Sequence, residues 1–182
     1  MILVPEIETI VLLVPRTGST SLLRAVMSRY SKAKHLFHHM EADGVPQECA
    51  HWRKVGVVRH PIDRLWSFFK HFYSDHGVSF NEWLAMSHDV LMQRPEFHLH
   101  RMFRLRHAIP ENRKSQWYYI RPDLGTVHYS YKDLCLLHRD LDITDHVPPE
   151  RLNASDPTSV PELTPDARHI IKTLHGWDME NC

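Results

Sequence analysis

The sequence predicts an α/β domain with a mostly parallel central sheet. Three observations carry that expectation. Two β-branched apolar runs, Ile7 to Val14 (IETIVLLV) and Lys54 to Arg59 (KVGVVR), have the length and composition of buried strands. Each is closed by a proline, Pro15 or Pro61, and leads into a segment with helical spacing of its apolar residues. The order strand, helix, strand, strand, helix between Ile7 and Phe72 is that of parallel strands joined by crossover helices.

The elements follow in order. After the first strand, Leu22, Leu23, Val26, Met27 and Tyr30 recur on one helical face, with Ser19 or Thr20 as the N-cap, so a helix is expected over Ser19 to Tyr30. Lys34 to Met40 reads as a second strand. Lys54 to Arg59 is the third, and Pro61 suits the first turn of the next helix, where its missing N–H costs nothing. That helix sets Leu65, Phe68, Phe69 and Phe72 on its buried face and Arg64, Ser67 and His71 on another. Ser79 and Glu82 fit a capping box for a helix through Trp83, Leu84 and Met86. Arg94 to Arg113 is rich in His and Arg and carries no assignable period. Thr126 to Tyr129 reads as another strand and Tyr131 to Asp140 as a helix. Pro148, Pro149, Pro157 and Pro161 mark an irregular connection before a last helix, Asp166 to His175, opened by Thr164-Pro165 and stopped by Gly176.

Composition narrows the function. The chain has 182 residues, suited to one domain over 1–182, with no repeat and no low-complexity linker. Lys plus Arg and Asp plus Glu are both 22, so a protein built to coat nucleic acid, which needs a basic excess, is not expected. No apolar stretch approaches the length of a membrane span, and Glu6 and Glu8 interrupt what would be a signal core, so a cytoplasmic protein is expected. The 3 cysteines, Cys49, Cys135 and Cys182, are widely spaced and odd in number, which fits a reducing compartment better than a disulfide framework. The unusual count is 16 histidines, groups that titrate just below neutrality.

Two strand-to-helix loops carry the chemistry. In Pro15-Arg16-Thr17-Gly18-Ser19-Thr20-Ser21, the opening helix turn directs backbone N–H groups and a partial positive charge at one spot, which is a phosphate site. Gly18 permits close approach, the hydroxyls of Thr17, Ser19, Thr20 and Ser21 add donors, and Arg16 adds a forked cation. The loop is not GxxxxGK[ST], since no lysine occurs before Lys32. The second loop repeats the geometry, with Arg59 at the strand exit and Ser67 eight residues on, in the following helix. Parallel strands would bring both loops to one sheet edge, where α/β proteins bind ligands, and two anion sites there suit a nucleotide phosphorylated at two ends. The plain alternatives are an ordinary capped turn for the first loop, and a sheet-edge Arg with a small packing Ser for the second.

VPRTGSTSL followed by VVRHPIDRLWSFFKHF resembles the two nucleotide-binding segments of the sulfotransferases that use 3′-phosphoadenosine 5′-phosphosulfate (PAPS). The resemblance covers most of the chain, strongly at 10–30 and 54–73 and weakly at 76–125. It implies a P-loop-like three-layer fold with helices on both faces of the sheet, and transfer of a sulfuryl group from PAPS to a hydroxyl. Arg16, Thr17, Gly18, Ser19, Thr20 and Ser21 match that family's 5′-phosphosulfate loop, and Arg59 and Ser67 its 3′-phosphate pair. Tyr131-Lys132-Asp133-Leu134, Asn153-Ala154-Ser155 and Glu162-Leu163-Thr164-Pro165 are similar to the carbohydrate-sulfotransferase branch, which implies a small-molecule or glycan hydroxyl acceptor. Two positions depart from the pattern: Arg16 stands where the family often has Lys, although Arg is also found there, in the tyrosylprotein branch, and Lys132 replaces an acidic residue. An Arg does not readily release a proton, so the loop cation is expected to stabilise charge and not to donate a proton.

Sulfuryl transfer asks for alignment, stabilisation of the departing phosphate and a base for the acceptor proton, with no metal required. His35, His38, His39 and Glu41 end the second predicted strand, near the expected sheet edge. In a strand His38 and His39 would face opposite sides, and His38 is the first choice of base, with His39 and Glu41 behind it. His98, His100 and His107, with Gln116, are candidates for the acceptor site. Three other readings compete. A metal site would use His98-Leu99-His100 but has no HExxH and no cysteine cluster. A P-loop kinase or NTPase lacks its lysine. The third is a non-catalytic nucleotide-binding or assembly protein of the same fold; Arg101, Arg104 and Arg106, with Trp117, Tyr118 and Tyr119 nearby, read either as a surface for an anionic glycan or as a solvated face beside a core edge.

Overall fold

The computed structural model describes residues 1–93, 109–146 and 159–182. Its centre is a mixed five-stranded sheet with helices around it, an α/β architecture. The strands are β1 (Ile2–Val4), β2 (Thr9–Leu12), β3 (Lys34–His35), β4 (Arg53–Val58) and β5 (Val127–Ser130), in the spatial order β3-β1-β2-β4-β5. β2, β4 and β5 run parallel, whereas β1 pairs antiparallel with both β2 and β3. The expectation of a mostly parallel sheet is therefore corrected to a mixed one. The cause is local: Pro5–Ile7 forms a 3₁₀ turn and Glu8 takes φ 44°, which reverses the chain between β1 and β2.

Both faces of the sheet are covered. Val11 and Leu13 meet Leu22, Ala25 and Val26 of α1 (Ser19–Arg29) and Leu137 of α6 (Leu134–Asp140). Ile10, Leu12 and Val14 alternate to the other side and meet Tyr119 and Ile120 of α5 (Trp117–Ile120). Gly56 makes that second contact possible, because a Cβ there would stand 2.5 Å from Ile120 Cδ1. A separate aromatic core of Phe68, Phe69, Phe80 and Trp83 joins α2 (Pro61–Phe72), α3 (Phe80–Ala85) and α4 (His88–Gln93) to α7 (Pro165–Leu174). The last helix is α8 (Gly176–Asn181). No helix among the described residues is long and apolar enough to cross a membrane.

Several local expectations hold. Pro61 opens α2, Ser79 and Glu82 form the capping box of α3, and Thr164 caps α7 through its side chain. Others are corrected. Only Lys34–His35 is strand, and the chain turns at His38–His39, with His39 at φ 60°. The alternation argument for those two histidines therefore does not apply. Gly18, not Ser19 or Thr20, is the N-cap of α1, and Met27 faces outward. Tyr131–Asp133 is a 3₁₀ turn leading into α6. Gly176 opens α8 and does not close α7, which ends at Leu174 with His175 as its C-cap. Arg64, expected on the polar face of α2, is fully buried. His98, His100, His107, Arg101, Arg104, Arg106 and Asn153-Ala154-Ser155 lie outside the described residues.

Candidate functional site

The parallel strands β2 and β4 deliver their two following loops to the same sheet edge. After β2 the chain passes Arg16 at φ 63° and Gly18 at φ 79°, both in the left-handed region. Glycine accepts that conformation freely, but an arginine there is strained, and such strain is characteristic of functional loops. Thr17 is buried and its hydroxyl donates to the Val14 carbonyl at 3.0 Å, so its side chain closes the turn. The first intrahelical bond of α1 runs from Leu22 N–H to Gly18 O at 3.0 Å. Ser19, Thr20 and Ser21 form the opening turn, whose N–H groups have no partner inside the helix.

The second loop meets the first directly. Arg16 Nε donates to Ser67 Oγ at 3.0 Å, and Arg59 Nη1 donates to the Arg16 carbonyl at 3.4 Å. The Arg59 guanidinium lies over the Tyr131 ring, 4.9 Å from its centroid. The same ring is the nearest side chain to Gly18, 3.5 Å from where a Cβ would stand. Arg16, Gly18, Arg59 and Ser67 are thus brought together, with the Tyr131 ring against Gly18 and Arg59. Burial and the neighbouring Arg59 charge push the Arg16 guanidinium below its usual range, opposed by Tyr131. Two cations this close create a site that favours an anion.

The histidines divide. His39 is buried, and its Nδ1 lies 2.6 Å from the Leu13 carbonyl. A carbonyl only accepts, so Nδ1 carries the proton and Nε2 holds the lone pair. Burial, with the charges of His38, the amino terminus and Arg16, pushes His39 down to about 3 against the raising effect of the Leu13 bond. His38 is half-buried and held down to about 4 by burial, His35 and the amino terminus. Their rings touch edge to face at 4.2 Å, but Arg16 acts on His39. Glu41 is buried in an ion pair with the fully buried Lys114, which gives it a structural task.

Gln116, expected near the acceptor, is fully buried and bound to the Arg59 backbone at both ends of its amide. Sequence reasoning missed the surrounding buried network. Arg64 pairs with Glu111 at 2.7 Å, Tyr119 donates to Glu111, and Lys114 lies 4.6 Å from the Tyr119 centroid. Among the described residues no group of three or more His, Cys, Asp and Glu is placed to hold a metal. A cavity of about 570 Å³ lies at the other end of the parallel strands, between Thr9, Arg29, Arg53, Asp140 and Asp142. Its arginines are paired, Arg29 with Asp142 at 2.6 Å and Arg53 with Asp140, and Glu6 adds a negative charge, so the anion preference sits at the loop end. No protein-family model, curated protein or solved structure matches the chain.

Proposed function

We propose that this chain is a PAPS-dependent sulfotransferase that moves a sulfuryl group to a hydroxyl acceptor, a carbohydrate on the resemblance of its later segments. The fold is read as P-loop-like and three-layered, supported by the apolar cover on both faces of the sheet. The observation that carries the reading is the meeting of the two loops, with Arg16 bonded to Ser67 and Arg59 bonded to the Arg16 carbonyl. Two cations and a helix start at one sheet edge suit a nucleotide with phosphates at both ends better than a triphosphate chain, which would call for a lysine in the loop.

In this reading the opening turn of α1 from Gly18 to Ser21 cradles the 5′-phosphosulfate, and Arg59 and Ser67 take the 3′-phosphate. The acceptor oxygen forms its bond to sulfur as the bond from sulfur to the 5′-phosphate oxygen breaks. The electron pair leaves with 3′,5′-adenosine bisphosphate (PAP), where Arg16 stabilises it, and the hydroxyl proton passes to His39 Nε2. The incoming donor brings negative charge beside His39, which raises its affinity for that proton. Melting with PAP, ADP and ATP in parallel tests the donor assignment. PAP at 100 times its dissociation constant stabilises by about 2.7 kcal/mol. A shift with ATP and none with PAP would hand the site to a kinase-like reading. PAP binding with no acceptor ever sulfated would leave a nucleotide-binding protein without transfer.

A further inference from the structure

Where β4 ends, the backbone of Arg59 meets a side chain in place of another strand. Arg59 N–H donates to Gln116 Oε1 at 2.9 Å, and Gln116 Nε2 donates to Arg59 O at 2.7 Å. The amide of Gln116 thus reproduces the two-bond exchange of a sheet ladder at the one residue of the candidate phosphate pair that leaves the strand. The second hydrogen of Nε2 points to Cys182 Sγ at 3.6 Å, so both amide hydrogens are taken within the fold.

Gln116 is itself held from below. Asp178 of α8, fully buried, accepts from Gln116 N–H at 2.9 and 3.0 Å and from Ser115 Oγ at 2.6 Å, and His175 Nδ1 lies 3.3 Å away. Burial alone would raise the Asp178 carboxyl, but the bonds from His175, Ser115 and Gln116 and the charge of Arg64 hold it below the usual carboxylate range. A buried carboxylate with this many donors is a fixed anchor.

We infer that Gln116, anchored by Asp178, is a positioning residue for the 3′-phosphate: it fixes the Arg59 backbone so that its guanidinium projects toward Tyr131 and the first loop. This rests on the donor reading above and adds to it that the carboxyl-terminal helix helps set ligand selectivity from beneath the site, without touching ligand. Loss of the clamp frees Arg59 to adopt other directions while leaving the α1 turn untouched. The cost therefore falls on ligands with a 3′-phosphate.

The test compares PAP with AMP, which lacks the 3′-phosphate, by calorimetric titration. In Gln116→Leu, PAP affinity is expected to fall about tenfold or more, the worth of one to two lost hydrogen bonds, while AMP affinity stays within about twofold. Gln116→Glu keeps the shape and the acceptor, and its buried carboxyl, protonated, keeps the donor. It is expected to retain most PAP affinity at low pH and to lose it as the pH rises and the carboxyl ionises, with AMP affinity little changed across the same range, whereas a merely structural role would move both ligands together. Equal losses for PAP and AMP, or none for either, would overturn the inference while the donor reading stands. A wild-type chain that binds no PAP would overturn both.

Discussion

Arg16 and Ser67 stand 51 positions apart in the chain, yet Arg16 Nε donates to Ser67 Oγ at 3.0 Å. The Arg16 carbonyl is held at the same time by Arg59 at 3.4 Å. Both members of the candidate 3′-phosphate pair thus hold Arg16, Ser67 by its guanidinium and Arg59 by its backbone carbonyl. A ligand that takes Ser67 and Arg59 changes the surroundings of Arg16 in the same step.

The first prediction concerns that pair. Arg59→Ala or Ser67→Ala removes a charge-assisted hydrogen bond worth about 1.5–3 kcal/mol, so PAP affinity should fall roughly 10- to 100-fold. The loss should largely vanish for AMP. Equal losses for the two ligands, measured by titration, would mean damage to the fold or a different subsite.

The second concerns Arg16. Its φ of 63° and its bond to Ser67 aim the guanidinium at the loop end, where charge grows on the departing phosphate. Arg16→Lys keeps the charge and loses the fork, so part of the turnover should survive. Arg16→Ala should lower turnover by about 100- to 1,000-fold, as does loss of one preorganised donor elsewhere. Unchanged turnover in Arg16→Ala would remove it from the catalytic list.

What the sequence displayed, and what it hid, follows from the kind of signal each feature leaves. β2 and β4 were legible because burial on both faces produces apolar runs, and α2, α3 and α7 because Pro61, Ser79 with Glu82, and Thr164 leave start signatures. β1 escaped because three apolar residues before a proline have no measurable period. The meeting of Arg16 with Ser67 was legible only as two loops at one edge, since hydrogen bonds across 51 positions leave no local pattern. Arg64 was misread for the same reason. Its partner Glu111 lies 47 positions away, and a buried ion pair looks polar in sequence. The histidine turn was read as strand because His38 and His39 are compatible with either, and nothing but the φ of 60° at His39 distinguishes them.

The third prediction separates those two histidines. His39→Asn retains a side-chain amide to donate to the Leu13 carbonyl but removes the Nε2 lone pair, so turnover should fall by roughly 100- to 10,000-fold with PAP binding nearly intact. The acidic limb of the pH–rate profile should go with it. His38→Ala, which leaves the His39 Nε2 lone pair in place, should keep turnover within a few-fold of wild type. The reverse pattern, assayed over sugar and phenolic hydroxyl acceptors, would move the base to His38.

The last prediction is an acid destabilisation with its origin in the same residue. Free histidine binds a proton near pH 6.5, whereas burial holds folded His39 down to about 3. Between those values the unfolded chain binds a proton that the folded chain refuses, so stability rises with pH across this window and falls as the pH drops. The slope is about 1.4 kcal/mol per pH unit for one such group, which makes the protein about 2 kcal/mol less stable at pH 5 than at pH 7 through His39 alone. His38 acts in the same direction, reduced by its partial exposure to solvent. Urea unfolding at the two pH values measures the difference. His39→Asn, which carries no titrating group, should flatten the dependence by about that amount, and His38→Ala by less. A wild-type curve that is flat between pH 7 and pH 5 would show that His39 is not held neutral in the folded chain, and with it the assignment of its Nε2 lone pair would fall.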